Sequence, residues 1–359
     1  MVWGAYLYGG HTIAMFLQRP CEKREELFDR DEELEITLKC IRNGVWVAIL
    51  GPRMSGKTSI AKVAGNMLSR EGYNCIYVNL IRAYGVRIAV ERILASLPKS
   101  IIDKVKDLLE FIGLKAGVTG IEIKLRQGVS YTSILEKLFQ EISKRDKLVV
   151  VLDEVQEIKG GVNHFLAMLY RLRTSTKNLI FIFTGSAIGL MKTLLYPSPR
   201  NPMYGRTPVK VELKPWSIKL ALEFLEQGLG ECNVEYTERE LEEAIRELGT
   251  LPGWLSFYGL RRCAGKPHRQ ALNEALNQAT IIARSELEEI LKGRARWARK
   301  AIRMLAYGAR WSELLREAKT SPNSLKNLLE TLKNLYLLAE ESGVYRITDP
   351  VYKRAALKL

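Results

Sequence analysis

The sequence contains few of the residues that build disulfide frameworks or metal sites. It has 5 cysteines and 3 histidines in 359 residues, and no two cysteines have the C-x-x-C spacing. We therefore predict neither a zinc site nor a disulfide framework, and reduced cysteines fit a cytoplasmic protein.

Long apolar runs, internal repeats and low-complexity segments are also missing. No apolar stretch reaches the ~20 residues that a membrane-spanning helix needs, so we predict no membrane span. Residues 1–16 lack the basic leader and the small-residue cleavage site of a secretory signal. We assign residues 1–18 to an N-terminal extension. Either Met15 is the true start of the protein, or the residues before it form a short extra strand or arm.

Acidic residues are in deficit. The sequence has 55 Lys and Arg against 40 Asp and Glu, which gives a formal charge of +15 and a pI of about 9.5. Such a charge favours polyanionic partners such as nucleotides or nucleic acids, although a basic, merely solvated surface is the alternative. The hydrophobic fraction of 47% is sufficient for a large core and argues against wholesale disorder.

The sequence does contain a phosphate-binding loop at 51–58, which reads GPRMSGKT. An apolar strand pattern precedes it and a helical pattern follows it, which is the context that this motif requires. Loops of this kind place backbone N–H groups around a phosphate at a helix N-terminus. We expect the following residues to contact the phosphates: Gly51, Pro52, Arg53, Met54, Ser55, Gly56, Lys57, Thr58 and Ser59.

Two side chains of the loop have specific expected roles. Lys57 should reach the β- and γ-phosphates and assist their transfer, and Thr58 should offer its hydroxyl to Mg²⁺. Four apolar residues and then Asp153 and Glu154 form the second half of the motif. We expect Asp153 to hold Mg²⁺ and Glu154 to polarise the attacking water. A strand that simply ends in solvated acids is the alternative.

Polar residues at the ends of two later segments are further candidates. Thr184 and Ser186 follow a buried strand, where a hydroxyl can sense the γ-phosphate, although Thr-Gly-Ser is also ordinary turn chemistry. Arg206 precedes the last strand and can stabilise phosphoryl transfer, in the same chain or across a subunit contact. A structural ion pair is the alternative for Arg206, so the oligomeric state stays open.

Apolar strand patterns alternate with helical patterns up to residue 215, which predicts an α/β fold with a mostly parallel sheet. Helical patterns alone follow, and the segment beyond residue 293 reads as three helices and a hairpin, which is a winged helix-turn-helix. We therefore divide the chain into a core at 19–215, a helical lid at 216–292 and a winged helix at 293–359.

The order of several motifs resembles the archaeal ATPase family, which belongs to the STAND branch of P-loop ATPases and is related to AAA+ proteins. Besides the loop, the motifs are LFDR at 27–30, LDEVQ at 152–156, TGS at 184–186, PMYGR at 202–206, GTLPGWL at 249–255 and ITDP at 347–350. The resemblance implies a five-stranded sheet of order 2-3-4-1-5, ATP or ADP with Mg²⁺ as ligands, and a lid and winged helix that move with the nucleotide.

The resemblance also implies that Phe28, Arg30 and Pro252 lie near the adenine. One departure is a proline motif in the lid, where many AAA+ proteins have an arginine. A slow switch is therefore expected rather than a fast ring motor. GTP is disfavoured because no Asn-Lys-x-Asp segment follows the loop.

Part of the positive charge is concentrated between residues 292 and 303, where no acidic residue occurs. DNA or RNA could lie against this run and the winged helix. The candidates are Arg294, Arg296, Arg299, Lys300 and Lys326. Glu340 and Glu341 at the tip of the wing argue for a protein partner instead. The main hypothesis is thus a Mg²⁺-dependent ATPase switch. The alternatives are a DNA-binding protein resembling origin-recognition ATPases, or a regulatory scaffold without hydrolysis.

Overall fold

The computed structural model describes residues 15–106 and 130–359, together with the backbone of two short hairpins outside those ranges. A five-stranded sheet lies at the centre of the N-terminal half. Its strands are β1 (Val47–Leu50), β2 (Asn74–Asn79), β3 (Leu148–Asp153), β4 (Leu179–Gly185) and β5 (Val209–Glu212). Every neighbouring pair is parallel, and the order is β2-β3-β4-β1-β5. The predicted order 2-3-4-1-5 and the α/β fold class are confirmed.

Helices join and cover the strands of this sheet, as the alternating pattern predicted. They are α1 (Asp31–Arg42), α2 (Lys57–Arg70), α3 (Val86–Ala95), α4 (Lys99–Lys104), α5 (Tyr131–Arg145), α6 (Val162–Ser175) and α7 (Gly189–Leu195). Strands β3 and β4 are buried along their whole length, which explains their unbroken apolar sequences. Because all five strands are parallel, their carboxyl ends meet at one edge of the sheet.

The C-terminal half contains eight helices and a small antiparallel sheet. The helices are α8 (Ile218–Glu231), α9 (Glu238–Leu248), α10 (Pro252–Cys263), α11 (His268–Leu291), α12 (Arg296–Tyr307), α13 (Trp311–Ala318), α14 (Pro322–Asn334) and α15 (Pro350–Leu357). The strands are β6 (Ala309–Arg310), β7 (Leu338–Glu341) and β8 (Val344–Ile347), in the order β6-β8-β7. Residues 293–359 thus contain three helices and a hairpin in the predicted order, together with two elements that were not predicted, β6 and α15.

Two hydrophobic cores organise the molecule. One lies around the parallel sheet and contains buried residues from Leu27 to Leu213. The other runs from Trp216 to Leu359 without a break between the lid and the winged unit, and it also includes Phe16. The last helix, α15, was not predicted, and it packs against both α11 and α12. The lid and the winged unit are therefore one packed body.

The structure corrects the prediction about cysteines. A disulfide joins Cys232, after α8, to Cys263, at the end of α10, across 31 residues of sequence. Two neighbouring helices bring the pair together, and a search for closely spaced cysteines cannot detect such a pair. Cys21, Cys40 and Cys75 remain free thiols.

Backbone geometry outside the two main ranges consists of two antiparallel hairpins. Leu7–Tyr8 pairs with His11–Thr12, and Leu114–Gly117 pairs with Gly120–Ile123. The first agrees with the short-strand alternative for the N-terminal segment. Among the residues that the structure describes, no helix is both long enough and apolar enough to cross a membrane.

Candidate nucleotide-binding site

The phosphate-binding loop follows β1 at the carboxyl edge of the sheet. Gly51 has φ +148°, and a Cβ there would lie 2.7 Å from the carbonyl oxygen of Leu213, so no side chain fits. Gly56 has φ +96° and directly precedes α2, which begins at Lys57. Both glycines therefore occupy backbone conformations that other residues rarely adopt. The loop presents the N-terminus of α2 toward a cavity.

Lys57 is buried inside the loop. Its Nζ donates to the carbonyl oxygens of Gly51, at 3.0 Å, and Pro52, at 2.7 Å. Burial lowers the pKa of the Lys57 ammonium. The hydroxyl of Ser55 is buried as well, and no described residue hydrogen-bonds with it. A phosphate would offer acceptors to both side chains, so the loop fits an anionic ligand.

The carboxylate of Asp153, at the end of β3, accepts hydrogen bonds from three hydroxyl groups. Thr58 Oγ1 lies 3.1 and 3.2 Å from its two carboxylate oxygens. Tyr77 donates its hydroxyl at 2.5 Å, and Thr184 donates to the same carboxylate. The pKa of Tyr77 is raised by burial and by the charge of Asp153. Oxygen donors from Thr58 and Asp153 are thus side by side, and Mg²⁺ prefers such ligands.

Glu154 is held in a left-handed backbone conformation, with φ +58°. Its N–H donates to Thr184 Oγ1 at 3.2 Å, and Gln156 donates its side-chain amide to the Glu154 carboxylate. A Cβ at Gly185 would lie 1.9 Å from Gln156 Oε1. The Gln156 side chain therefore fits only because residue 185 is glycine. The Glu154 side chain lines the same cavity as the loop. Its position is therefore fixed by β4 and by Gln156.

A cavity of about 280 Å³ lies between the loop, the lid and residues 15–21. Phe28, Arg30 and Pro252 all line it, and their proximity to an adenine stays a prediction. The ring of Phe28 packs at 5.5 Å from Trp216 and 5.3 Å from Phe224. The wall of the cavity away from the phosphate-binding loop is therefore largely aromatic, and such a wall suits a planar base.

Arg30 shapes this wall and is already paired. Its guanidinium donates to Glu33 at 2.9 Å and to the carbonyl oxygen of Lys214 at 2.7 Å, and it lies 5.6 Å from the ring centroid of Trp216. The side chain is 6% exposed. We infer that Arg30 positions Trp216 and the start of α1.

The lid touches the loop directly. The N–H of Gly253, in α10, donates to the carbonyl oxygen of Met54 at 3.1 Å. Arg53 Nη1 lies 4.0 Å from the carboxylate of Glu286 in α11, and that carboxylate accepts a hydrogen bond from Tyr352 in α15. Polar contacts therefore run from the phosphate-binding loop to the last helix of the chain.

Arg206 lies near the amino ends of the strands, opposite to the phosphate-binding loop. It precedes β5, whose first residue, Val209, pairs with Val47 at the start of β1. The Arg206 side chain is exposed, and its guanidinium lies 5.3 Å from the ring centroid of Tyr170. The loop follows the opposite end of β1. Arg206 is therefore not part of the phosphate-binding loop's surroundings in this structure.

Two of the basic candidates are tied to the protein itself. Arg294 donates to the carbonyl oxygen of Ile290 at 3.1 Å and to Thr331 Oγ1 at 3.2 Å, so it joins α11 to α14. Arg299 is exposed and donates to the carbonyl oxygen of Leu359 at 3.4 Å.

The other basic candidates differ in their pairing. Lys300 forms an ion pair with Glu317 at 3.1 Å, and Lys326 lies 4.0 Å from Glu330 on the same helix. Arg296, exposed at the start of α12, has no ion pair within the described residues. The basic run is therefore partly neutralised, and Arg296 is one of its exposed charges without an ion pair among the described residues.

Sequence reasoning missed several residues of the site. Tyr77 and Gln156 hold the two carboxylates, but no role was predicted for either: Tyr77 resembles an ordinary strand residue, and Gln156 was noted only as part of the LDEVQ motif. Trp216 and Phe257 were likewise not singled out, although both line the cavity. Tyr77 belongs to β2, the strand next to β3, which ends in Asp153. Knowledge that these two strands are neighbours is the signal that could have identified Tyr77 as a partner of Asp153.

Comparisons with known proteins agree with this geometry. A model of the "ATPase domain predominantly from Archaea" matches residues 27–256, more than half of the 359 residues. The Walker-type ATPase PABY2304 of Pyrococcus abyssi is 26% identical, and the match covers 96% of this chain and 100% of that chain with a TM-score of 0.74. The ORC2 protein of Aeropyrum pernix, solved as ADPNP–ADP complexes, is 17% identical over 96% of this chain and 95% of that chain, with a TM-score of 0.59.

The ORC2 match shows a shared fold only, and no curated protein matches the sequence significantly. The family model covers the loop, both carboxylates and the start of the lid. The resemblance to the archaeal ATPase family is thereby confirmed, whereas the STAND branch stays a prediction. The chain belongs to the family of ATPase domains found predominantly in Archaea, and it is a nucleotide-binding P-loop ATPase.

Proposed function

We propose that this protein is a Mg²⁺-dependent ATPase that works as a nucleotide-driven conformational switch. The observation that carries the proposal is the meeting of Thr58 and Asp153, 3.1 Å apart, beside a cavity that Glu154 also lines. A hydroxyl and a carboxylate at that distance supply oxygen ligands for Mg²⁺, and a second carboxylate nearby can act on water. Adenine as the base is supported by the aromatic wall.

Each residue has a role in the proposed mechanism. The N–H groups of the loop and Lys57 bind the β- and γ-phosphates, which requires Lys57 to leave the carbonyl oxygens that it now contacts. Bound Mg²⁺ would supply positive charge that stabilises phosphoryl transfer. Thr58 and Asp153 would hold that ion. Glu154, kept in place by Gln156, accepts hydrogen bonds from a water molecule and orients it for attack.

Slow turnover is part of the proposal because no arginine of the lid lines the cavity, and two of them are engaged elsewhere. Arg261 donates to Glu274 at 3.2 Å and to the carbonyl oxygen of Phe257 at 2.6 Å. Arg262 is buried and donates to the carbonyl oxygen of Glu235 at 2.7 Å. Neither guanidinium lines the cavity. The lid therefore contributes Pro252 and aromatic surface there, and little transition-state charge.

The test separates nucleotide binding from hydrolysis. Lys57→Ala should abolish ATP binding, because it removes the ammonium inside the loop. Glu154→Gln should bind ATP with unchanged affinity and release phosphate at least about 100-fold more slowly, as removal of a general base does. Glu157→Gln is the matched control, since Glu157 bonds the N–H of Arg82 and does not line the cavity. Equal phosphate release by the wild type and Glu154→Gln would refute the mechanism.

Nucleic acid is the second candidate partner, and the unpaired charge of Arg296 at the start of α12 favours it. Arg296→Glu should weaken binding to a DNA duplex and reduce the salt dependence of that binding. Arg239→Glu, an exposed arginine of α9, is the control for the loss of net charge alone. Equal losses in both variants would show that only net charge matters. Undiminished DNA binding by Arg296→Glu would refute a role of Arg296 in that binding, whereas a wild type that does not bind DNA would favour a protein partner for the winged unit.

A further inference from the structure

Residues 15–21 form a strap that connects the lid to the phosphate-binding loop. At its lid end, the N–H of Met15 donates to Glu231 at 3.2 Å. At its core end, the N–H of Cys21 donates to Ser59 Oγ at 3.1 Å, in the first turn of α2. Arg19 is paired with Glu26 at 2.7 Å. Both ends of the strap are thus anchored, one on each body of the molecule.

The lid anchor is a slot that fits Phe16. A Cβ at Gly228, in α8, would lie 2.2 Å from the Phe16 ring, and a Cβ at Gly259, in α10, would lie 2.4 Å from it. The ring is 1% exposed and makes an edge contact with Phe224 at 5.3 Å. Glycine in the middle of a helix is unfavourable compared with alanine. The two glycines therefore have a packing reason: they create the slot.

The strap also forms one wall of the nucleotide cavity. Met15, Leu17, Gln18, Arg19, Pro20 and Cys21 all line it. Phe28 and Phe257, from the core and the lid, line the same cavity. An extended chain from residue 16 to residue 21 spans at most about 17 Å, so the strap limits how far the lid can leave α2 while Phe16 stays in its slot.

We propose that Phe16 is a positioning residue for the nucleotide base: seated between Gly228 and Gly259, it holds the strap as the base-side wall of the site. This inference rests on the proposed function, because it assumes that an adenine nucleotide binds beside the loop. It assigns to residues 15–21 the recognition of the base. The loop recognises the phosphates.

The experiment compares a ligand that has a base with one that lacks it. Dissociation constants for ATP and for inorganic tripolyphosphate are measured on the full chain by calorimetry. Phe16→Ala should weaken ATP binding by at least about tenfold, because the strap must then be ordered during binding. Tripolyphosphate binding should not change. Phe16→Leu should recover part of the affinity for ATP.

A double-mutant cycle tests the slot itself. Gly259→Ala adds one methyl group where the ring lies, so it should expel Phe16 and weaken ATP binding as Phe16→Ala does. In the Phe16→Ala background the slot is empty, so Gly259→Ala should be neutral for binding and should stabilise α10. If Gly259→Ala simply damaged α10, it would weaken ATP binding in both backgrounds. Phe139→Ala, which removes a buried ring of the other core, is the control.

Three results would overturn the inference. One is an equal loss of ATP and tripolyphosphate affinity in Phe16→Ala, which would mean a general structural role. Another is additive behaviour of Phe16→Ala and Gly259→Ala. The third is a wild type that binds tripolyphosphate as tightly as ATP. A wild type that binds neither ligand would refute the proposed function as well, so the two failures are distinguishable.

Discussion

Asp349 provides a test of the electrostatics of the C-terminal body. It is the N-cap of α15, and its carboxylate accepts a hydrogen bond from the N–H of Tyr352 at 3.0 Å. Burial raises the pKa of Asp349 from 3.8 to about 6. At neutral pH the folded protein therefore carries a charge that its surroundings disfavour.

The sign of the effect follows from proton linkage. The folded state binds a proton more tightly than the unfolded state, so this group makes the protein less stable as the pH rises through the range from 3.8 to about 6. At 1.36 kcal/mol per pH unit, the difference corresponds to about 3 kcal/mol at most. Above pH 6 the cost is constant, and below pH 4 it is absent.

Asp349→Asn keeps the capping geometry and removes the charge, because asparagine caps helices as well as aspartate does. We expect the variant to be more stable than the wild type at pH 7.5, by up to about 3 kcal/mol, and equally stable near pH 4. Urea unfolding between pH 4 and pH 8 measures this. Asp349→Ala, which also loses the cap, should gain about 1 kcal/mol less. An Asp349→Asn variant with the pH profile of the wild type, or with lower stability at pH 7.5, would refute the reasoning.

Two further predictions concern contacts of the C-terminal body. The Cys232–Cys263 disulfide closes a loop of 31 residues, for which the chain-entropy relation gives a stabilisation of about 3–4 kcal/mol. A reductant should therefore lower the thermal unfolding midpoint of the wild type. It should not change the midpoint of the Cys232→Ser/Cys263→Ser double variant, which has no disulfide to reduce. Glu330 of α14 lies 4.0 Å from Lys192 of the core, so Glu330→Lys should weaken the contact of α14 with the core by about 1 kcal/mol or less. The measurement is hydrogen exchange at the N–H of Ala187, which donates to Asn334 at the end of α14 and should exchange faster in the variant. Unchanged exchange would show that this ion pair does not contribute.

The parts of the site that the sequence predicted are those whose chemistry is local. The loop, Asp153-Glu154 and the strand patterns are each contained in a few consecutive residues. The sheet order came from the resemblance, since periodicity shows that a strand exists but does not identify its neighbours. The fit of Phe16 and the disulfide depend on helix pairs distant in sequence, and no local pattern encodes them. Helices α7 and α15 were not predicted.

The connection between Asp153 and α14 gives the proposed switch a structural route. Thr184 bonds both Asp153 and the N–H of Glu154, and three residues later the N–H of Ala187 donates to the carbonyl oxygen of Asn334, at the end of α14, at 3.2 Å. In the proposed mechanism, a rearrangement of Asp153 around Mg²⁺ would therefore act on the segment that holds α14. Lys326 is exposed, but Glu330 beside it on α14 contacts Lys192 of the core, so we expect an opening of that contact to change the binding of nucleic acid by α14. Arg296 needs no such opening, so nucleotide-dependent binding would indicate α14 and nucleotide-independent binding would indicate α12.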